Sequence, residues 1–368
     1  MIKNIGIDGF RLRDYGIGTY LQNTIAHFRD IDDNLRFFVF CNPEDMDFVE
    51  ELNPSAVPVS RKNFQYSAVN LMQLSLNLKK YNIHLYHSIH YIAPLSHRLP
   101  VVLTLHDMLP FEFPQSIDNL SKRGLYKSVH KTINKASKIV AVSRSTKSDV
   151  LKHFHIDPEK IAVIHNGVDA SFFEKIDARK VRNFRERYQL HFPFILYAGN
   201  VRPHKNIDRI IECMEILDEP PFNGLKLVIA GYDISKNKSL RSLISKKGLS
   251  ERIRVIGYID KVIYLYKLAS IFINPSLYEG FGVSALEAMA VGTPVIVSNK
   301  SALPEIVGDA AMLVDPYNTN EFAEAVKTII KESKVRNSLV KKGKERASQF
   351  TWQDSVSKLL KVYYDVLK

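Results

Sequence analysis

Apolar residues along this chain fall into two alternating patterns. Short runs rich in Val, Ile, Leu and Phe, closed by Gly, Asn, Asp or Ser, alternate with longer segments whose apolar positions recur at helical spacing. The runs RFFVF, VVLTLHD, KIVAVS and IAVIHNG come first, and FILYAGN, LKLVIAGY, RVIGYI, IFINPS and PVIVSN follow. Continuous apolar strands separated by helical stretches indicate parallel sheets covered by helices on both faces. The expected fold class is therefore α/β, with doubly wound parallel sheets. A charged stretch, KIDARKVRNFRERYQL, interrupts the alternation before Phe194 and places a domain break near residue 170. The closing segment FTWQDSVSKLLKVYYDVL is amphipathic at helical period, and its apolar face fits either domain. No repeat of 20 to 50 residues and no low-complexity tract is visible.

The length of 368 residues accommodates two domains, each with its own core, and a cleft between them. Cys41 and Cys213 lie far apart in apolar runs, which argues against a disulfide framework or metal cluster and for a reducing cytosol. The opening MIKNIGIDGFR enters a strand pattern without an apolar signal core, and no apolar stretch approaches the 18 residues of a membrane span. The net charge of +12 favours an anionic partner, without choosing among nucleotide, acidic glycan, nucleic acid and lipid surface.

The most informative motif is SLYEGFGVSALEAMA, in which Glu279 follows the run IFINP and Glu287 stands eight residues on, in the first turn of an expected helix. A carboxylate accepts from both hydroxyls of a vicinal diol, so two of them can clamp a ribose and a hexose. Between them Gly280, Gly282 and Ser284 allow close backbone approach, and the N–H groups at residues 282 to 284 can hold a diphosphate at the helix start. Either Glu alone reads as a loop acid or a helix-start acid; the full string reads as a nucleotide-sugar site. Upstream, YAGNVRPHKN carries a glycine turn at Gly199 and a cationic loop with Arg202, His204 and Lys205. A lysine is disfavoured at a helix start, which makes Lys205 the candidate for a diphosphate, followed by Arg202.

In the first half, Gly16 and Gly18 form a Gly-rich turn, but Leu21 stands where a dinucleotide fingerprint needs its third glycine and the second strand ends in Phe40-Cys41-Asn42 without an acid. A nicotinamide-dependent dehydrogenase is thereby disfavoured. His106 and Asp107 close VVLTLHD at the carboxyl end of a strand, where a neutral imidazole can donate to a substrate hydroxyl and Asp107 can orient the ring or a neighbouring loop. His87 and His90 follow a short β pattern and read as core or rim residues, with acceptor binding as the lesser alternative; zinc lacks a third ligand. Asp30-Ile31-Asp32 and Asp45-Met46-Asp47 do not follow buried strands and read as solvated surface acids, so no catalytic metal is expected. Lys122, Arg123, Lys127, Lys131, Lys135 and Lys138 form a basic face, solvated or facing anionic lipid.

Taken together, GIDGFRLRDYGIGTY, TLHD, VSRSTKSDV, HNGVD, GNVRPHKN, GYI and the paired-Glu string resemble a retaining glycosyltransferase of family four, in order and over nearly the whole chain. The GIDGFRLRDYGIGTY and HDMLPFEFP strings are similar to bacterial mannosyltransferases of surface polysaccharide synthesis. The resemblance implies a GT-B fold of two facing Rossmann-like domains, with residues 1–170 plus 351–368 holding the acceptor and 171–350 the donor. It implies that Glu287 holds the ribose, Glu279 and the N–H groups of Phe281, Gly282 and Val283 the transferred sugar, Lys205 the diphosphate, and Gly16 and Gly18 its other side. His106 would touch the sugar near the reacting carbon, and the backbone around Tyr258 the nucleobase. Many relatives carry an Arg where Asn200 or His204 stands, which leaves Arg202 as the candidate substitute cation. The implied reaction is front-face hexosyl transfer without a cofactor, from GDP-mannose ahead of UDP-glucose, to a glycan or lipid-linked glycan. The implied setting is the cytoplasm or the inner membrane face, and no nucleic acid is expected. A phosphorylase would need a pyridoxal lysine and a longer chain; a nucleotide-sugar epimerase and a non-catalytic binder of nucleic acid or lipid remain the alternatives.

Overall fold

All nine apolar runs form strands in the computed structural model, which describes residues 2–14, 16–28, 34–61, 68–94, 99–114, 119–231 and 238–368. The first seven strands are β1 (Lys3–Asp8), β2 (Leu35–Cys41), β3 (Val57–Ser60), β4 (Leu85–Ser88), β5 (Val101–Leu105), β6 (Lys138–Ala141) and β7 (Ile161–Val163). They make one parallel sheet in the order β3-β2-β1-β4-β5-β6-β7. The next six are β8 (Phe194–Ala198), β9 (Lys226–Ala230), β10 (Ile253–Gly257), β11 (Ile271–Asn274), β12 (Val295–Ser298) and β13 (Met312–Val314). They make a second parallel sheet in the order β10-β9-β8-β11-β12-β13. The pattern did not yield β3 and β13, which are short edge strands. Pro58 in β3 lacks an N–H and is tolerated because it sits on the sheet edge.

The chain divides into two compact units, Met1–Gly167 with Thr351–Lys368, and Val168–Phe350. Both sheets are doubly wound Rossmann-like sheets, their strand order reversing beside β1 in the first and beside β8 in the second. At such a reversal the loops leaving the carboxyl ends of adjacent strands diverge and open a crevice for ligands. In the first unit the closing helix Trp352–Leu367 buries Trp352, Val356, Leu359, Val362 and Tyr363 among β1, β4 and the helix Ile17–His27. Each fully buried aliphatic of this kind contributes about 1.5–3 kcal/mol, which ties the segment to the first unit.

Two readings of surface residues are corrected. Asp45 is not solvated: it is 2% exposed and accepts from Arg13 Nε at 2.8 Å, while Asp47 is exposed. Lys138 leaves the basic helical face, since it lies on β6 and donates from Nζ to the Glu159 carbonyl at 2.7 Å. Lys127, Lys131 and Lys135 are exposed on the helix Asn119–Lys135. The Asp30-Ile31-Asp32 triplet and the side chains of Lys122 and Arg123 lie outside the described residues.

In the second unit, Arg252 gathers the loops beneath β9 and β10. Its guanidinium donates to the carbonyls of Met214, Leu217, Phe222 and Leu225 and to Asp218, with the side chain 11% exposed. No lysine could serve five acceptors in that planar geometry. Arg252→Met keeps much of the volume but leaves carbonyls without donors, at about 1–3 kcal/mol for each buried group left unsatisfied. It is expected to lower the stability of the protein by about 3 kcal/mol or more, read as a fall in the urea midpoint at unchanged m.

Candidate functional site

The reversal in the second sheet brings two loops together. One leaves β8 through Gly199 into a 3-10 turn, Pro203–Lys205, and the other leaves β11 through Asn274 toward Glu279. Leu277 N–H donates to the His204 carbonyl at 2.8 Å, and Asn206 Nδ2 donates to the Pro275 carbonyl at 3.1 Å, so backbone and side chain lock the loops to each other. Across this junction Lys205 Nζ meets Glu279 Oε1 at 2.7 Å, with the two side chains only 17% and 15% exposed. The same Oε1 accepts from Ser276 Oγ at 2.8 Å and Asn274 Nδ2 at 3.2 Å. Burial alone would raise the Glu279 carboxyl; the Lys205 charge and hydrogen bond, with Ser276 and Asn274, outweigh it and hold the group below its ordinary value. Glu279 is therefore ionised at neutral pH. All three donors use one oxygen, which leaves Oε2 as an acceptor, and Lys205 retains two donors beyond the pair.

Ser301 fixes the backbone of the acid, accepting from Glu279 N–H at 3.2 Å and donating to its carbonyl at 2.6 Å. The chain then turns through Gly282 at φ +96°, where a Cβ would lie 2.6 Å from Leu303 Cδ2, and starts the helix Val283–Val291. Only glycine meets both constraints. No side chain caps this helix start, and the first N–H groups of a helix have no partner within it. Phe281 turns its ring into the core against Phe350. Glu287 is the fifth residue of the helix, not in the first turn as expected, so it does not serve the helix dipole. It accepts from Tyr266 Oη at 3.0 Å. Burial drives its carboxyl up to about 7, against the lowering effect of the Tyr266 hydrogen bond and with a further push from Asp169.

Arg202 is exposed at the start of the 3-10 turn and makes no ion pair among the described residues. His204 is buried instead, and its pKa falls to about 4 through burial, then the Lys205 charge. Tyr258 follows β10 and is 62% exposed.

In the first unit, His106 leaves the end of β5 and packs edge-on against Tyr20, with ring centroids 4.8 Å apart. Burial, then the Arg11 charge, lowers its pKa to about 4, so the imidazole is neutral at pH 7. Its Nε2 is buried without a partner among the described residues. Asp107 orients the neighbouring loop: its Oδ1 accepts from Leu109 N–H at 2.9 Å and from the Tyr91 hydroxyl. Gly16 stands at the start of the helix Ile17–His27. Gly18 serves packing, since a Cβ there would lie 2.5 Å from the Leu12 carbonyl oxygen. His87 lies within β4, not after it, and is fully buried. No group of three or more His, Cys, Asp or Glu among the described residues is placed to hold a metal ion.

Sequence reasoning missed Asn274, Ser276, Ser301 and Tyr266. Asn274 left a signal, a polar residue closing an apolar strand; Tyr266 reads as one more aromatic of a buried helix face, and its partner lies 21 residues away.

Comparison with known proteins places this architecture. Residues 15–172 match Glycosyltransferase Family 4, and residues 180–346 match Glycosyl transferases group 1. An Escherichia coli protein described as O-antigen chain mannosyltransferase B is 29% identical over 290 residues, 78% of this chain and 75% of that one. Sucrose-phosphate synthase from Thermosynechococcus elongatus superposes with a TM-score of 0.81 at 18% identity, covering 99% of each chain. Anabaena Alr3699/HepE in complex with UDP-glucose superposes with a TM-score of 0.80 at 18% identity, covering 98% of this chain and 99% of that one. Two Rossmann-like units with these neighbours define the GT-B fold, and with both matched stretches spanning most of its length the chain belongs to the family 4 and group 1 glycosyltransferases.

Proposed function

We propose that this enzyme transfers a hexosyl group from a nucleoside-diphosphate sugar to a hydroxyl of a glycan or lipid-linked glycan, with retention at the anomeric carbon. The observation that carries the reading is the Lys205–Glu279 pair beside the uncapped start of the helix that bears Glu287. In this reading Glu287 accepts from the ribose hydroxyls and Glu279 Oε2 from the transferring sugar. The N–H groups of residues 282 to 284 and the Lys205 ammonium take the diphosphate, with Gly199 lining it, and those of Phe281, Gly282 and Val283 assist Glu279 at the sugar. His106 takes a hydroxyl of the sugar, and the backbone at Tyr258 the base. GDP-mannose stands ahead of UDP-glucose: the description of the Escherichia coli relative supports a mannosyl donor, and the Anabaena complex supports the alternative. The exposed Lys127, Lys131 and Lys135 support docking of a lipid-linked acceptor at an anionic surface, at about 1 kcal/mol per basic residue.

The reaction breaks the bond between the anomeric carbon and the diphosphate oxygen and forms the bond to the acceptor oxygen on the same face. The acceptor proton passes to the departing diphosphate, so no protein base is required. Negative charge grows on the leaving group, and Lys205 with Arg202 stabilises it where it develops. These cations stand in this reading where other transferases use a resident metal, and no cofactor is assigned.

Two results follow. A thermal-shift screen against UDP, GDP, ADP and their sugars, with and without magnesium, is expected to show stabilisation by one nucleotide, indifferent to magnesium and lost in Glu287→Ala. Lys205→Ala is expected to lower kcat by about 100- to 1,000-fold; near-normal turnover would overturn its role. Glu287 also sets a pH dependence. Diol hydroxyls donate to the ionised carboxylate, yet burial keeps the free protein's carboxyl protonated below about pH 7. Nucleotide affinity should therefore rise from pH 5.5 to 8 and level off above the Glu287 pKa, and Glu287→Gln should flatten the profile in titration calorimetry.

A further inference from the structure

We infer that a buried hydrogen-bonded chain from Tyr363 through His87 and Thr104 to Tyr20 fixes the orientation of the His106 imidazole, which makes Thr104 and Tyr20 positioning residues for hexosyl transfer. The inference rests on the proposed role of His106 at the sugar.

The chain begins on the closing helix, where Tyr363 Oη lies 2.6 Å from His87 Nδ1. His87 Nε2 lies 2.7 Å from Thr104 Oγ1, and Thr104 Oγ1 lies 3.1 Å from Tyr20 Oη. Tyr363, His87 and Thr104 are fully buried and Tyr20 is 3% exposed. Burial, and then His106, lowers the His87 pKa to about 3, so its ring is neutral and needs one donor and one acceptor neighbour. Tyr363 and Thr104 supply one of each, in either proton direction. Burial likewise raises the Tyr20 phenol to about 12, so every member of the chain is uncharged at neutral pH.

Such a chain adds little to net stability, since each bond replaces one made to water in the unfolded protein. Its larger effect is on direction. Tyr20 is held at its hydroxyl by Thr104, and its ring meets His106 at 4.8 Å with the planes at 80°, while Trp352 backs Tyr20 at 5.9 Å. His106 Nε2 has no hydrogen bond among the described residues, so on that side of the ring it is packing against Tyr20 that holds the imidazole. Thr104 lies on β5 and His106 just beyond its end, so the hydroxyl that anchors Tyr20 and the imidazole that Tyr20 braces are two residues apart and meet the same tyrosine.

The test uses the full chain with Tyr20→Phe, Thr104→Val and Thr104→Ser, alone and with His106→Ala. GDP release from GDP-mannose, or UDP release from UDP-glucose if that donor stabilises the protein, reads turnover. Tyr20→Phe and Thr104→Val are expected to lower kcat about tenfold with donor KM within twofold, Thr104→Ser to restore most of it, and Thr104→Val to have no further effect in the His106→Ala background. Long-range 1H–15N correlation spectra, with the His106 signals assigned by their loss in His106→Ala, are expected to show shifted His106 nitrogens in Tyr20→Phe and Thr104→Val. Unmoved His106 resonances, an equal loss of turnover in both backgrounds, or wild-type kcat in the two variants while His106→Ala is impaired would each overturn the chain's role. Wild-type kcat in His106→Ala would instead overturn the reading of His106 itself, and with it this inference.

Discussion

The second unit is organised around one ion pair. Lys205 and Glu279 come from loops that leave neighbouring strands, and the lysine offsets the burial that would otherwise raise the Glu279 carboxyl. A pair so placed is not a source of much net stability, because removing two charges from water offsets most of their attraction. What it provides is a fixed charge distribution. Ser276 and Asn274 complete the shell on one carboxylate oxygen, so the acid cannot swing toward the lysine with its second oxygen. Under the proposed function, a ligand at the helix start would meet an ionised acceptor and a basic side chain already held in place, which leaves little reorganisation for the reaction.

The same junction explains why two carboxylates eight residues apart behave differently. Glu279 sits against a cation and two further donors and titrates low; Glu287 sits in the body of an apolar helix with one phenol as partner and titrates high. One is a permanent anion, and the other becomes an anion when something donates to it. Environment rather than residue type has divided the labour, as expected where the local dielectric is low.

The fold was largely legible because each buried strand announces itself locally, as a run of β-branched and aromatic residues between glycine-rich ends. Edge strands β3 and β13 were not legible, since half of their neighbours are absent and their runs are short. The candidate site was legible where it depends on chain-local features: Glu279, Gly282 and Lys205 stand in distinctive strings. It was not legible where it depends on partners distant in sequence. Tyr266 reaches Glu287 across 21 residues and Tyr363 reaches His87 across 276, and nothing in their local sequence separates them from ordinary core aromatics. Asp45 failed for the same reason, because its burial follows from Arg13 on another loop.

The order of the chain through its two units also bears on how the molecule is made. Trp352–Leu367, the helix that fills one face of the first unit, leaves the ribosome only after all of Val168–Phe350. At synthesis rates of about 5–20 residues per second, the face around β1 and the helix Ile17–His27 waits roughly 10–40 s for its cover. During that interval the apolar surface that will receive Trp352, Val356 and Leu359 is open to a chaperone or to a second nascent chain. The first unit is thus begun before the second and completed after it, and its faithful assembly rests on the helix Trp352–Leu367 arriving before that surface finds another partner.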